Sequence, residues 1–201
     1  MGSRVSKHLP DALPPRAPQF AQNATRRFFR WLLGVCGWKL VGEIPNVPKV
    51  IAIVAPHSSW WDGWWALMFM VAMGFKVSFI AKNELFVGPL GWLLRKLGGL
   101  ATDRSVANGT IGQLSAEFAS RDQFWVALAP EGTRKKVQKW KSGFWHLARA
   151  TDVPIVMVSL HYPDKTLGFG PLLETSDDLD ADMARIRAYY VPFQGKHRGT
   201  V

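Results

Sequence analysis

A histidine and an aspartate five positions apart, His57 and Asp62, are residue types that together can move a proton. They follow the β-branched run 49–55, which predicts a buried strand, and catalytic groups of open α/β sheets collect where such strands end. If the chain turns there from strand to helix, the Asp62 carboxylate can accept a hydrogen bond from one nitrogen of His57. The other nitrogen can then take a proton, so the pair predicts a general base and the group that orients it.

The same segment also has a purely structural interpretation. Ser59 and Asp62 have the spacing of a helix capping box, in which case His57 would be an ordinary loop residue. The sequence offers no protein nucleophile, because it has no G-x-S-x-G motif and its one cysteine, Cys36, lies in a predicted apolar helix. A catalytic His57 would therefore activate a hydroxyl group of the substrate directly.

Basic residues follow two further predicted strands. Residues 124–129 lead into the segment P-E-G-T-R at 130–134, and another short predicted strand leads to Arg104. Gly132 would let the backbone approach a ligand closely, and the planar fork of Arg134 suits a phosphate group. Each arginine alone could be a solvated loop cation. Their shared position after successive strands predicts a phosphate-binding edge beside the histidine.

Segments of strand and helix character alternate along the chain, and we expect strands at 49–55, 76–81, 123–129 and 153–160 and helices at 61–73, 88–97, 106–120 and 142–150. This alternation implies mainly parallel pairing with helices on both faces. The predicted fold is a single layered α/β domain, residues 23–201, with a mainly parallel central sheet flanked by helices. An N-terminal amphipathic helix should begin the domain, after a flexible Pro-rich arm at residues 1–22.

Composition limits the possible partners. The 201 residues carry a net charge of +10, and residues 1–41 contain seven basic residues against one acidic residue. Basic charge attracts anionic lipid, nucleic acid and phosphorylated small molecules alike. One cysteine excludes a disulfide framework, and no His/Cys cluster has the spacing of a zinc site, so we expect no metal.

The N-terminal part of the chain has the composition of a membrane-surface helix. No apolar run reaches the roughly 20 residues that a spanning helix needs. Residues 26–33 mix arginines with aromatic and aliphatic side chains, and the chain has ten tryptophans, a residue type enriched at membrane interfaces. We expect residues 26–40 to hold a peripheral protein on the cytoplasmic face of an anionic membrane, with the arginines at 26, 27 and 30 attracting headgroups. The alternative is a helix packed on the core of the domain itself.

Four ordered sequence blocks resemble those of the glycerolipid acyltransferases, which transfer a fatty acyl chain to glycerol 3-phosphate or a lysophospholipid. His57-x4-Asp62 resembles the H-x4-D motif of that family, and residues 99–104 resemble its second block, which ends in Asp-Arg. P-E-G-T-R at 130–134 and V-P-I-V at 153–156 resemble the third and fourth blocks. Lysines are also usual in the family near the positions of Lys82 and Lys141.

The resemblance implies an O-acyltransferase of phospholipid biosynthesis in which His57 deprotonates the acceptor hydroxyl and Asp62 orients His57. It implies an acyl-CoA or acyl-carrier-protein thioester as donor, a lysophospholipid or glycerol phosphate acceptor, no cofactor and no nucleic acid partner. The implied substrate-binding residues, with the arginines on the acceptor phosphate, are Lys82, Arg104, Glu131, Gly132, Thr133, Arg134 and Lys141.

Two other classes of protein remain compatible with the sequence. One is a basic α/β protein without catalysis that binds a membrane surface or nucleic acid, since residues such as Lys139-Trp140-Lys141 alternate cations with an aromatic ring. The other is a lipid hydrolase in which His57 and Asp62 activate water. Trp60 and Trp61 are bulky for the first motif of the family, and Met157 stands where the fourth block often has a proline, so acceptor identity does not follow from the resemblance.

Overall fold

The computed structural model describes residues 5–6, 9–21, 24–102, 107–197 and 199. Its strands are β1 Val5–Ser6, β2 Lys39–Val41, β3 Lys49–Ala55, β4 Val77–Lys82, β5 Gly99–Thr102, β6 Phe124–Leu128, β7 Ile155–His161 and β8 Thr166–Leu173. Its helices are α1 Ala24–Val35, α2 Trp60–Met73, α3 Gly88–Lys96, α4 Ala107–Ser120, α5 Gly143–Thr151 and α6 Leu179–Tyr190, and a 3₁₀ turn spans Asn83–Leu85.

The eight strands form one sheet in the order β1-β2-β8-β7-β3-β6-β4-β5. The five strands from β7 to β5 run parallel to one another, β8 pairs antiparallel with β7, and β2 pairs parallel with β8. The expected mainly parallel sheet flanked by helices is therefore confirmed. Strands β1, β2 and β8 extend it beyond the predicted elements.

Two helical layers cover the sheet. The connections β3–α2–β4 and β4–α3–β5 cross it in one direction, whereas β5–α4–β6 and β6–α5–β7 cross it in the other. Because such connections are right-handed, α2 and α3 lie on one face and α4 and α5 on the opposite face. Alternation along β3 fits this arrangement, since Val50 and Ala52 pack with α1 and α2 while Ile51 and Ile53 pack with α4, α5 and α6.

Residues 9–21 of the predicted arm pack against the domain, and residues 5–6 form β1 of its sheet. Leu13 and Ala17 are buried, and the N–H of Phe20 donates to the carbonyl of Gly74 at 2.8 Å. Two arginines of α1 also hold this segment: Arg26 donates to the carbonyl of Asp11 at 3.0 Å, and Arg30 donates to those of Leu9 and Pro10, both at 2.7 Å. The division at residue 22 stays a prediction.

The N-terminal amphipathic helix is present as α1, but two of its three arginines have internal partners. Arg26 is only 6% exposed and also donates to the carbonyl of Ala72 at 3.2 Å, and Arg30 pairs with Asp11 at 3.1 Å. Arg27 is the exposed arginine of this helix. The expectation that Arg26 and Arg30 face lipid headgroups is therefore corrected, because their guanidinium groups bind the chain itself. Among the described residues, no helix combines the length and apolar character needed to cross a bilayer.

Candidate active site

Three loops meet at the carboxyl edge of the sheet, because β3 lies between β7 and β6 and all three strands are parallel. His57 follows β3, Glu131 follows β6 and Tyr162 follows β7. The strand-end position predicted for the histidine is thus the one observed. The three side chains converge on one site, and each is placed by a different strand.

Asp62 both caps α2 and reaches the histidine. Ser59 is the N-cap residue, its hydroxyl accepts from the N–H of Trp61 at 3.2 Å, and a capping box is formed with Asp62. One oxygen of Asp62, Oδ2, accepts from the N–H groups of Ser58 at 2.6 Å and Ser59 at 2.7 Å. The two interpretations of this segment are therefore compatible, because one carboxylate performs both tasks.

The imidazole of His57 lies beside the same carboxylate oxygen. Its Nδ1 is 3.4 Å from Oδ2 of Asp62, and its side chain is 31% exposed while that of Asp62 is 2% exposed. With Nδ1 facing the carboxylate, Nε2 is the nitrogen that can exchange a proton with a ligand. The 3.4 Å separation is at the long end for a hydrogen bond, and catalytic contacts of this kind commonly tighten when substrate binds.

Tyr162 completes the group, and sequence reasoning missed it. Its hydroxyl donates to Oδ1 of Asp62 at 2.6 Å, so both oxygens of the carboxylate are engaged. Burial would by itself raise the pKa of Asp62, but hydrogen bonds from His57, Tyr162, Ser59 and Ser58 lower it below its ordinary value. Burial, together with the bond to the Asp62 carboxylate, raises the pKa of Tyr162, which keeps the phenol protonated as a donor. The available signal was its position, one residue past the end of β7.

Glu131 braces the histidine loop. It is 3% exposed, and its Oε1 accepts from the backbone N–H of His57 at 2.6 Å. This hydrogen bond connects the end of β3 to the loop after β6 and fixes the position of the His57 backbone. Contact between Glu131 and substrate stays a prediction; the contact observed is with the His57 backbone.

The basic loop after β6 is organised by Gly132 and an aromatic ring. Gly132 has φ of 65°, a left-handed conformation that favours glycine, and the end of the Lys141 side chain passes 2.9 Å from where a Cβ atom would lie. The guanidinium carbon of Arg134 lies 3.6 Å from the centre of the Trp60 ring, a cation–π contact. Thr133 accepts from the N–H of Lys135 at 3.3 Å. Arg134 and Lys141 thus lie in the same segment as Glu131, and their contact with a substrate stays a prediction.

Two predicted site residues cannot be assigned to the group. Arg104 and the side chain of Lys82 lie outside the described part of the structure. The backbone of Lys82 ends β4, two strands from β3 along the same edge of the sheet. Within the described residues, no cluster of three or more His, Cys, Asp or Glu side chains could hold a metal ion.

Comparison with known proteins gives the family. A family model described as Acyltransferase matches residues 41–161, more than half of the chain, and this range contains β3, β6 and β7 together with His57, Asp62, Glu131 and Arg134. The chain belongs to the acyltransferase family. The acyltransferase match begins at the end of β2 and ends with the last residue of β7, so Tyr162 lies just beyond it.

Two individual proteins are also similar to this chain, one in sequence and one in fold. The chain is 26% identical over 150 residues to a 1-acyl-sn-glycerol-3-phosphate acyltransferase of Streptococcus pneumoniae, a match that covers 69% of this chain and 56% of that protein. It therefore spans little more than half the length of this relative. Its fold matches the crystal structure of the 1-acyl-sn-glycerophosphate acyltransferase PlsC of Thermotoga maritima with a TM-score of 0.58, at 22% identity, over 82% of this chain and 73% of that one.

Proposed function

We propose that this protein transfers a fatty acyl group from a thioester to a hydroxyl of a glycerol phosphate or lysophospholipid, in phospholipid biosynthesis. His57 acts as the general base, Asp62 orients it, and no covalent acyl-enzyme is formed. The observation that carries the proposal is the contact series from His57 through Asp62 to Tyr162 at the carboxyl edge of the sheet. Family membership and the two relatives support the same chemistry.

The reaction balances without a protein nucleophile. The acceptor O–H loses its proton to Nε2 of His57 while its oxygen attacks the thioester carbonyl, giving a tetrahedral intermediate. Collapse of this intermediate breaks the C–S bond, and the imidazolium returns its proton to the leaving sulfur. The products are the ester and a free thiol, and His57 ends neutral.

Asp62 favours this cycle electrostatically. Because its pKa lies below the ordinary value, the carboxylate is ionised near neutral pH and faces Nδ1 of His57. It thereby fixes the tautomer with the proton on Nδ1 and stabilises the imidazolium that forms during attack. Tyr162 and the backbone N–H groups of Ser58 and Ser59 hold the carboxylate in one orientation. The carboxylate that orients the base is therefore in place before substrate binds.

The loop after β6 supplies the acceptor site. Arg134, in cation–π contact with Trp60, can offer its fork of N–H donors to a phosphate, and Lys141 adds a second positive charge beside Gly132. Arg104 is proposed to join them from the end of β5. The same loop carries Glu131, which is bonded to His57, so a phosphate bound here brings the acceptor hydroxyl toward the base.

An activity assay in which the donor and the acceptor are varied independently tests this function. Purified protein is given an acyl-CoA or an acyl-carrier protein with lysophosphatidic acid, glycerol 3-phosphate or an unphosphorylated monoacylglycerol, and products are separated by thin-layer chromatography. Acyl transfer that depends on a phosphorylated acceptor is expected. Thioester or lipid hydrolysis without transfer would favour a hydrolase, and no turnover with retained lipid or nucleic acid binding would favour a non-catalytic protein.

The acceptor-site assignment has its own test. Arg134→Ala should raise the KM for the phosphorylated acceptor by about tenfold or more, because a charged hydrogen-bonding partner of the phosphate is lost. Arg134→Lys should recover only part of this, since it keeps the charge without the planar fork. An equal loss on phosphorylated and unphosphorylated acceptors would assign Arg134 a structural role instead.

We also propose that the α1–α3 face rests on an anionic membrane surface. Nine large apolar side chains of these helices are exposed, whereas α4, α5 and α6 contribute none among their described residues; the nine are Phe28, Trp31, Val35, Trp60, Trp61, Trp64, Leu90, Trp92 and Leu93. Exposed apolar surface of this extent, rich in tryptophan, is typical of a membrane contact. The first motif lies at the start of α2, so this orientation would bring His57 close to lipid substrates.

Vesicle co-sedimentation tests the membrane contact. Trp31→Ser combined with Trp92→Ser should weaken binding to anionic vesicles, while Leu172→Ser, an exposed apolar residue of β8, should leave it unchanged. High salt should weaken binding of the parent without abolishing it, because screening affects only the charge contribution. Unchanged binding of the double variant would locate the membrane contact elsewhere.

A further inference from the structure

Consecutive tryptophans at the start of α2 hold two cations on different sides of the site. The Trp60 ring contacts the guanidinium of Arg134, and the Nζ of Lys196 lies 4.6 Å from the centre of the Trp61 ring. Neighbouring positions of a helix point about 100° apart, so the two rings face different directions. Arg134 has a role in the proposed acceptor site. The proposed function assigns no role to Lys196.

A cleft of about 480 Å³ lies on the Lys196 side. Its walls include the rings of Trp38, Trp61, Trp65 and Tyr162, and its described lining has two cations, Lys165 and Lys196, and no acidic residue. This size is within the range of small-molecule sites, which are largely apolar with a few placed polar groups. Tyr162 also donates to Asp62, so the cleft borders the catalytic group directly.

The segment 194–197 holds Lys196 at this position. The N–H of Gln194 donates to Nδ1 of His161 at 3.0 Å, and its carbonyl accepts from the N–H of Tyr162 at 2.9 Å. The N–H of His197 donates to Oγ of Ser58 at 3.4 Å. These bonds join the segment to the ends of both β7 and β3, so Lys196 is attached to the same framework as His57.

We propose that this cleft binds the phosphopantetheine arm of the thioester donor, with Lys196 as the cation that binds its phosphate. The arm is a flexible chain of methylene and amide groups with a phosphate at one end and the reacting sulfur at the other. Aromatic walls suit the chain and the lysines suit the phosphate, while Tyr162 in the cleft wall contacts Asp62, the partner of His57. Acyl-CoA and acyl-carrier protein share this arm, so the site serves either donor. The assignment rests on the proposed acyl transfer.

Sheet order separates the two phosphate sites. The loop with Arg134 follows β6 and the residues Tyr162 and Lys165 follow β7, while His57 follows β3 between them. A direct transfer needs two substrates at the base at once, each approaching along its own path. The Nζ of Lys165 donates to the carbonyl of Cys36 at 3.1 Å, which holds this lysine at the rim formed by the end of α1. Lys196 is therefore assigned the main phosphate contact.

Calorimetric titration of the full chain tests the assignment with two ligands that differ by one phosphate, S-decanoyl-4′-phosphopantetheine and S-decanoyl-pantetheine. The parent should bind the phosphorylated ligand about tenfold more tightly, and Lys196→Met should remove most of this difference. Lys196→Arg should keep it. The matched control is Lys76→Met, an exposed lysine before β4 at the opposite edge of the sheet. Equal affinities in the parent, or a preference that survives in Lys196→Met, would overturn the proposal.

Kinetics separate this inference from the proposed function. Lys196→Met should raise the KM for acyl-CoA and leave the KM for the acceptor and for decanoyl-pantetheine unchanged. If the parent transfers no acyl group but keeps the phosphate preference, the function fails and the cleft assignment holds. If transfer is normal and Lys196→Met raises only the acceptor KM, the cleft assignment fails and the function holds.

Discussion

Asp62 and Asp182 are both buried carboxylates in the first turn of a helix, and both have a pKa below the ordinary value. Asp182 is fully buried, and its oxygens accept from Nε1 of Trp145 at 2.9 Å, from the N–H of Ser176 at 2.7 Å and from Arg185 at 3.3 Å. These donors are an indole, a backbone amide and a guanidinium. They join α6 to α5 and to the loop before α6.

Asp62 differs in its partners and its position. It faces a partly exposed imidazole at the edge of the sheet where three strand ends meet. Asp182 lies on the α5–α6 side, where none of its hydrogen-bond donors is an imidazole. Burial and a lowered pKa therefore do not by themselves mark a catalytic carboxylate, since a structural network produces the same signs. The imidazole partner at the strand ends distinguishes Asp62 from Asp182.

The same substitution at both positions should separate the two roles most strongly. Asp62→Asn should lower the acyl-transfer rate by about 10²-fold or more, because an amide at this position would offer N–H to Nδ1 and favour the tautomer with Nε2 protonated. Asp182→Asn should leave the rate per folded molecule unchanged. Equal rates for the two variants would remove the distinction between the two carboxylates.

Asp182→Ala should have the larger effect on stability. It removes the acceptor of the buried indole of Trp145, which is worth about 1–3 kcal/mol when left unsatisfied, and of the partly buried N–H of Ser176. Urea unfolding should give a loss in this range or somewhat above it, whereas Asp180→Ala, an exposed carboxylate of the same helix turn, should change little. A loss no greater than that of Asp180→Ala would contradict the structural role.

The pH dependence of stability should show the same contribution. Because the folded-state pKa of Asp182 is lowered, its stabilisation is present above the unfolded pKa of about 3.9 and is lost as pH falls through the lower folded value. The difference in unfolding free energy between the parent and Asp182→Asn should therefore narrow below about pH 4. A difference that stays constant down to acidic pH would mean that the charge of Asp182 does not contribute.

Tyr162→Phe should have the smallest effect of the series. It removes the donor to Oδ1 of Asp62, while His57 and the backbone bonds to Oδ2 remain. The rate should fall by about tenfold or less and the unfolding free energy by about 1 kcal/mol, the usual range for one hydrogen bond. A loss as large as that of Asp62→Asn would give Tyr162 a direct part in proton transfer.

Much of this arrangement is predictable from the sequence, because the parallel part of the sheet has strong local signals. The buried strand β3 is predicted at 49–55 and found there, and the helices after β3, β4, β5 and β6 differ from the predicted ranges by a residue or two. His57 was located by the strand-end rule, and Glu131 and Arg134 by the same rule. Local apolar patterns and strand ends were sufficient for these positions.

The sequence did not predict strand β8, because its two glycines and its proline are typical of a loop. Gly168 and Gly170 are required by close approach, since a Cβ atom would lie 2.6 Å from Oγ of Ser159 at the first and 2.6 Å from the Tyr189 ring at the second. Pro171 lies where the register between β7 and β8 shifts, between Val156 and Val158 of β7, an irregularity that accommodates a proline. These requirements come from neighbours distant in sequence, so no local pattern reveals them.

The partners of the site were missed for the same reason. Tyr162 contacts Asp62 across 100 positions of sequence and Lys196 contacts Trp61 across an even longer separation, so neither lies in a recognisable motif. The sequence predicted the capping box of Ser59 and Asp62 and, as an alternative, the contact of Asp62 with His57, but it did not indicate that both would occur together. Dual use of one group becomes visible only in three dimensions.

The most direct test of the account is the rate of acyl transfer by His57→Ala at saturating thioester and acceptor, with urea unfolding measured on the same preparation. Loss of the general base should lower this rate by about 10²–10⁴-fold. Because the His57 side chain is partly exposed and its loop is held through the backbone bond to Glu131, the unfolding free energy should stay near that of the parent. Transfer at close to the parental rate by a folded His57→Ala protein would contradict the assignment of His57 as the base.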